Sequence, residues 1–463
     1  MADILTLETC IAGQWQKACS LRFHEPAAGR SGPVTLEYDA AYVARFQNNP
    51  AALVSLRYPL DFFPHECEHW PAFLLDILPM GAARRYWGQR LNLVNPEHPS
   101  HDFMLLQQGA RAPVGNMRIR ESCPVDLPPA RGFPIADVLS RDTGFLDYAR
   151  ECGAAVGGAS GAGGEAPKFL LTRGKDGLYY PDATLPDDLA DEFFLVKFPR
   201  QSSHSGRPLD SDLLILETEA AYYQIASRLG FDTIFHSPWS LTGGKGEQIF
   251  FPVSTEHSIT RPSLWLPRFD RGITTSAVDR IGVESLYSLV GSVEPGATIA
   301  HTEYLRCLVS AWAGHGQQAE VPELVAEYVR RDLLNVVLGN SDNHGRNASV
   351  LRLNNRLQLA PVYDLAPMVL DESGITRTSR WSQANELGGE FNWRGICEEV
   401  AQVGYGVAAD DLWDALTALA NQLVDLPRLA EEYRVPSQVL QQRTGKLNLT
   451  GTEQRLKDWG LLP

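Results

Sequence analysis

The chain has 463 residues, 41 of them basic and 56 acidic, with a formal charge of −15 at pH 7. That length is enough for two or three hydrophobic cores, and the acidic balance lacks the basic excess with which proteins grip DNA phosphates unaided. Hydrophobic residues at 44% and charged residues at 21% are ordinary for a globular protein, and no stretch approaches the ~20 apolar residues of a membrane span.

Seven cysteines at irregular spacing predict reduced thiols in a cytoplasm rather than a disulfide framework. The Met-Ala-Asp-Ile-Leu start has no basic lead into an apolar run, so no signal peptide is expected. Three regions are expected in an α+β chain: a mixed N-terminal subdomain over 1–120, strands with a glycine-rich loop and a helix over 135–275, and a mainly helical part over 276–463. The stretch from Ala72 to Trp87 is the most helical part of the first region, and Pro124 to Pro134 reads as a linker. His65, Cys67 and His69 alternate like a strand and have no second cluster with which to hold zinc. The glycines around Ser160 fall short of a nucleophile elbow, and no P-loop occurs.

In the middle region, residues 157–168 form a glycine-rich loop ending in Lys168, and a strand follows at Phe169–Leu171. Phe193 to Phe198 is nearly all apolar, as in a buried strand, and Lys197 interrupts it. Glu219 to Leu229 keeps helical spacing and stops at Gly230; Glu219 is the candidate partner for the strand lysine, with Glu217 as competitor. Leu264 to Arg271 reads as a strand running into a connection.

A long helix is predicted over Val325–Val337, ending at Gly339. After the loop Asn340–Asn347, two short strands flank Asn354-Asn355. Asn tolerates the positive φ of a two-residue turn, so a hairpin is expected. With the turn there, residues whose numbers sum to about 709 face each other. Asn347 is then expected opposite Val362, with Asp364 one pleat beyond.

Asp342, Asn347 and Asp364 are thereby gathered at one hairpin mouth. Hard oxygen ligands suit Mg2+, which keeps other positions for water and phosphate, so Asn347 and Asp364 are the candidate metal ligands. Asp342 is left to orient a hydroxyl and take its proton. Asp-x-x-x-x-Asn followed by a second metal-binding Asp is the division of labour in protein kinases, and the glycine loop, strand lysine and helix glutamate precede it in the matching order. His344 reads as a structural member of the loop.

Lys197-Phe198-Pro199, Arg268-Phe269-Asp270-Arg271, Asn340 to Asn347 and Leu359 to Asp364 resemble the HipA-type serine/threonine kinases of bacterial toxin–antitoxin systems. Val54 to Leu60, Asp76 to Arg85 and Gly109 to Gly115 fit as well. The resemblance implies a two-lobed protein-kinase-like fold with a mainly helical C-lobe, phosphoryl transfer from ATP to a protein Ser or Thr, and a HipB-like antitoxin partner. Relatives modify aminoacyl-tRNA synthetases, so such an enzyme is the implied substrate class; a small-molecule kinase and a silent nucleotide-binding module are the alternatives. The implied ATP-binding set is Gly161, Gly163, Gly164, Lys168, Lys197, Arg268, Phe269, Asp270 and His344. Lys197 contacts phosphates, the backbone around Arg268 and Phe269 holds adenine, and Asp270 touches ribose. Ser160 has two readings, an inactivating autophosphorylation site and a turn residue bonded to its own backbone. Two departures stand out: Ala166 where the family often has Gln or Arg, and Asp364-Leu365-Ala366 in place of Asp-Phe-Gly.

Overall fold

The computed structural model describes residues 3–123, 130–141, 143–152, 155–156, 168–182, 184–200, 209–234, 249–251, 263–273, 278–443 and 446–463. The chain divides into two compact units that interleave in sequence. The first takes residues 1–201, 234–295 and 349–360; the second takes 202–233, 296–348 and 361–463.

The first unit begins with strands β1 (Asp3–Ile11), β2 (Gln14–Phe23), β3 (Val34–Tyr38), β4 (His65–Cys67) and β5 (Met117–Ile119), in the antiparallel order β4-β3-β2-β1-β5. Leu5, Leu7, Leu21 and Leu36 alternate inward and pack with Phe73 and Leu74 in one core. Helix α1 (Leu74–Ile77) and helix α2 (Gly81–Arg90) divide the expected helical stretch. Pro79 lies between them, where its ring and missing N–H break a continuous helix.

Two helices not foreseen from the sequence follow, α3 (Ile135–Ser140) and α4 (Thr143–Glu151). The second sheet contains β6 (Ala155–Val156), β7 (Lys168–Gly174), β8 (Tyr179–Pro181), β9 (Ala190–Lys197), β10 (Ile249–Phe251) and β11 (Ser263–Pro267). Its order is β10-β11-β9-β7-β6, with β8 on β7. β9 is the buried strand expected, and β7 and β11 flank it. A third sheet joins β12 (Gly282–Ser285), β13 (Ser349–Arg352) and β14 (Leu357–Leu359).

The hairpin register is Val350↔Leu359, Leu351↔Gln358 and Arg352↔Leu357, as placing Asn354-Asn355 at the turn requires. The ladder then ends with Ala360 N donating to Ser349 O. Asn347 is therefore not opposite Val362. Val362 N instead donates to Asp232 O at 2.8 Å, and Val362 bridges Thr233 in parallel. Pro361 starts this departure, since it has no N–H with which to continue the ladder.

The second unit is mainly helical: α5 (Asp210–Arg228), α6 (His301–Gly314), α7 (Val321–Val337), α8 (Trp393–Gln402) and α9 (Ala409–Leu423). α5 starts nine residues before the predicted onset, because the apolar run Leu213–Leu216 obscures the helical period there. Asp210 and Asp212 in its first turn complement the helix dipole. α7 ends at Gly339, whose φ of 70° only glycine adopts without strain. A short hairpin, β15 (Glu386–Leu387) with β16 (Glu390–Phe391), turns on Gly388 and Gly389. Among the described residues no helix is long and apolar enough to cross a membrane. All seven cysteines are free thiols.

Candidate active site

The residues singled out by sequence fall in both units. In the first unit, Lys168 and Lys197 are direct cross-strand partners on β7 and β9. Residues directly opposite point to the same face, with Cβ atoms only ~5 Å apart, and like charges there repel. Two ammonium groups so placed at the strand that follows the glycine-rich segment suit a shared anion. Ser160, Gly161, Gly163 and Gly164 lie outside the described residues.

Arg268, Asp270 and Arg271 form a buried network with Asp182. Arg268 donates to Asp182 and Asp270 at 2.5 Å, and Arg271 Nη1 donates to Asp270 Oδ2 at 2.7 Å. Gly115 N donates to the same Asp270 oxygen. Burial raises the Asp270 carboxyl, but Arg268 and Arg271 outweigh it and hold the group below the usual carboxylate range. With 2% exposure and both oxygens engaged, Asp270 fixes the chain after β11. Arg268 N already donates to Phe193 O, and Phe269 is buried.

The three N-terminal segments singled out from the sequence, Val54 to Leu60, Asp76 to Arg85 and Gly109 to Gly115, converge on this same stretch. Besides Gly115 at Asp270, Asp76 accepts from Ser285 N and Oγ, while Ser55 Oγ and Leu56 N donate to buried Glu284.

In the second unit, Asn347 Nδ2 donates to Asp342 O at 2.7 Å. That bond fixes the amide orientation and leaves Oδ1 as the oxygen available to a cation. His344 Nδ1 accepts from Arg346 N, so a neutral ring carries its proton on Nε2, 3.4 Å from Asp342 Oδ1. Asn340 Oδ1 accepts from Asp342 N, and Asn340 Nδ2 donates to Asp364 O at 3.2 Å. Tyr363 OH donates to Arg346 O at 2.6 Å. These side-chain ties, rather than an extended ladder, bring Asp342, Asn347 and Asp364 together. Asp364 has φ 51°, a left-handed conformation that Asp and Asn tolerate better than most residues.

Glu219 is buried on α5 and accepts from Tyr223 OH at 2.7 Å, whereas Glu217 is exposed. Burial, then the Glu219 and Asp364 carboxylates, push the Tyr223 phenol well above its ordinary value. Asn340, Asn343 and Tyr223 were not foreseen. Asn343 Nδ2 donates to Ser379 O, and its Oδ1 accepts from Thr378 N and Ser379 N. The signal available for both asparagines was a polar, Asn-rich loop directly after a helix stop. Among the described residues no group of three His, Cys, Asp or Glu is gathered for a metal. His65, Cys67 and His69 make no such group: His65 pairs with Asp61 at 3.5 Å, and Cys67 contacts Tyr58 OH.

The model of the HipA-like C-terminal domain matches residues 160–425. The chain belongs to the HipA-like family. In fold, this HipA-like chain is similar to HipA of Shewanella oneidensis MR-1, solved in a toxin–antitoxin complex with HipB and operator DNA. The TM-score is 0.59 at 16% identity, covering 98% of this chain and 96% of that one. The Helicobacter pylori proinflammatory kinase CtkA aligns with a TM-score of 0.35 at 13% identity, over 66% of this chain and 90% of that one, too weak a likeness to argue from. No curated protein matches.

Proposed function

We propose that this HipA-like chain is an ATP- and Mg2+-dependent protein serine/threonine kinase, the toxin of a toxin–antitoxin pair, working in the cytoplasm beside a HipB-like antitoxin. The observation that carries the reading is the loop in which Asn340 ties Asp342 N to Asp364 O while Asn347 turns its Oδ1 free. The opposed pair Lys168 and Lys197 supports it as a phosphate-binding feature of the first unit.

Asn347 Oδ1 and the Asp364 carboxylate fit Mg2+, since both are hard oxygen donors too few to complete its shell without phosphate and water. When bound, the ion neutralises charge on the phosphates. Asp342 orients the acceptor hydroxyl and takes its proton as the hydroxyl oxygen bonds to the γ-phosphorus. The bond from that phosphorus to the β–γ bridging oxygen breaks, and ADP leaves. His344 holds the Asp342 carboxylate in position through Nε2–H. Lys168 and Lys197 hold the phosphates, with Gly161, Gly163 and Gly164 supplying backbone amides. An aminoacyl-tRNA synthetase is the lead acceptor. Phosphate on Ser160 would repel ATP from the glycine loop and switch the enzyme off.

The test is transfer of label from [γ-32P]ATP into cytosolic protein by the intact chain and by Asp342→Asn. Label in protein with the intact chain alone supports the reading. Label only in small molecules favours a metabolite kinase, and label in neither favours a silent nucleotide-binding module.

A further inference from the structure

Asn343, the residue directly after Asp342, binds the loop to a distant run of chain, 378–379. Its Nδ2 donates to Ser379 O at 2.8 Å, and its Oδ1 accepts from Thr378 N at 3.1 Å and Ser379 N at 3.3 Å. A carbonyl oxygen only accepts and an amide N–H only donates, so these partners fix which way the Asn343 amide points. Ser379 Oγ adds a bond in return, donating to Asn343 O at 2.5 Å. The side chain thus does for 378–379 what a neighbouring peptide group does in a sheet. Ser379–Arg380 also pairs in parallel with Ile299–Ala300, and Ile299 N donates to Thr378 O.

The residues on either side of this clamp are anchored to α7, the helix that runs into the Asp342 loop. Asp332 on α7 accepts from Arg377 Nη2 through both oxygens at 3.0 Å and from Trp381 Nε1 at 2.8 Å. Glu386 accepts from Arg377 Nε and from Trp381 N, each at 2.9 Å. His301 stacks on Trp381 with ring centroids 4.4 Å apart, and Asp332, His301 and Trp381 are all buried. Burial raises the Asp332 carboxyl, but Arg377 and His301 outweigh it and hold the group below the usual carboxylate range. Two carboxylates shared between the same two donors fix both donors in direction as well as distance.

The run 377–381 is therefore referred to one rigid element, α7, and reaches back to the loop through Asn343. Asp342 is held on both sides. Asn340 Oδ1 accepts its N–H, and Asn343 fixes the peptide that follows. A misplacement of about 1 Å at a reacting group costs roughly a hundredfold in rate. A side chain that only steers its neighbour can then govern turnover.

We propose that Asn343 is a positioning residue for phosphoryl transfer. Its clamp on 378–379, backed by the Asp332–Arg377 anchor, sets the direction in which Asp342 meets the acceptor hydroxyl. The inference rests on the kinase reading above and adds a residue that reading does not use. Asn340, Asn347 and Asp364 are tied together by bonds that do not pass through Asn343, so nucleotide binding is separable from the clamp.

The experiment follows label from [γ-32P]ATP into cytosolic protein with the full chain, ATP being varied. Asn343 is half-buried on a loop, so Asn343→Ala should fold, with the stoichiometry of Mg-ADP binding in a calorimetric titration unchanged. Its rate at saturating Mg-ATP should fall about tenfold or more, while the KM for ATP moves less than about twofold. Ser379→Ala should lower the rate less. The double variant should be no slower than Asn343→Ala alone, because both groups belong to one clamp. A rate unchanged in Asn343→Ala, or a fall matched by lost ADP sites or by a raised KM, overturns the inference and leaves the kinase reading standing. So does a double variant whose losses multiply. No label in protein with the wild-type chain removes the kinase reading and the inference with it.

Discussion

Glu284 offers a quantitative test of how the first unit is held together. Its carboxylate is fully buried and meets four donors: Ser55 Oγ at 2.7 Å, Leu56 N at 2.9 Å, Ser288 Oγ at 3.3 Å and Arg352 Nη1 at 2.7 Å. Arg352 is equally buried, and its Nε and Nη2 have no hydrogen-bond partner among the described residues. In Glu284→Gln the amide can keep its oxygen toward Leu56 N and Arg352 and turn its NH2 toward the serine hydroxyls, so packing and most hydrogen bonds survive. What is lost is the charge opposite a buried guanidinium, which costs about 3–5 kcal/mol when one partner of such a pair is removed. That is a large part of the ~5–15 kcal/mol of a typical domain. Arg352→Met should cost a similar amount by stranding the carboxylate. The double variant should recover at least ~2 kcal/mol relative to the sum, because a charge pair replaced as a whole is far less harmful than one broken. With two units, one global transition is not guaranteed. The readout is therefore native-state hydrogen exchange at the β13 amides, alongside urea melts followed by tryptophan fluorescence. Single variants that each lose under ~1 kcal/mol, with an additive double, would refute the reasoning.

Asp364→Asn keeps a residue that tolerates φ 51° while removing the charge; Mg-ATP affinity and turnover should both fall, and an unchanged metal titration would rule out Asp364 as a ligand. Asn340→Ala frees Asp342 N and Asp364 O and should lower turnover about tenfold to a hundredfold with smaller loss of stability, measured as kcat beside the thermal midpoint. Burial, opposed by Asp332 and reinforced by Arg377, holds the His301 pKa down at about 4, so the unfolded chain binds the extra proton first as pH falls. Stability should therefore be complete above about pH 6.5 and drop by on the order of 3 kcal/mol as pH is lowered to about 4. Tyr328, Trp381, Asp332 and Arg377 face the ring, and His301→Gln should flatten the upper part of that fall in a urea-melt series. The purified chain should bind DNA weakly and without sequence preference at physiological salt, and a nanomolar specific complex in a gel-shift assay would contradict this.

Local chemistry made much of the chain legible before any fold was known. Asn-Asn between two apolar runs determined the β13–β14 register to the residue, because a two-residue turn leaves one pairing open. Apolar spacing and Gly339 determined the end of α7, and the near-continuous apolar run of β9 showed a strand buried on both faces. The candidate groups Lys168, Lys197, Asp342, Asn347 and Asp364 were legible as residue types at spacings that kinase chemistry requires. Tertiary structure decided how they are held. The hairpin ladder stops at Ser349 and Ala360 because Pro361 cannot donate and Val362 finds Asp232 and Thr233, partners about 130 residues away that no local period announces. No local period announces the buried network in which Arg268, Arg271 and Gly115 surround Asp270, and Glu219 was separated from Glu217 only by which face of α5 is buried. Periodicity reports which face of an element is buried, but which distant side chain meets it is settled only when the backbone closes on itself.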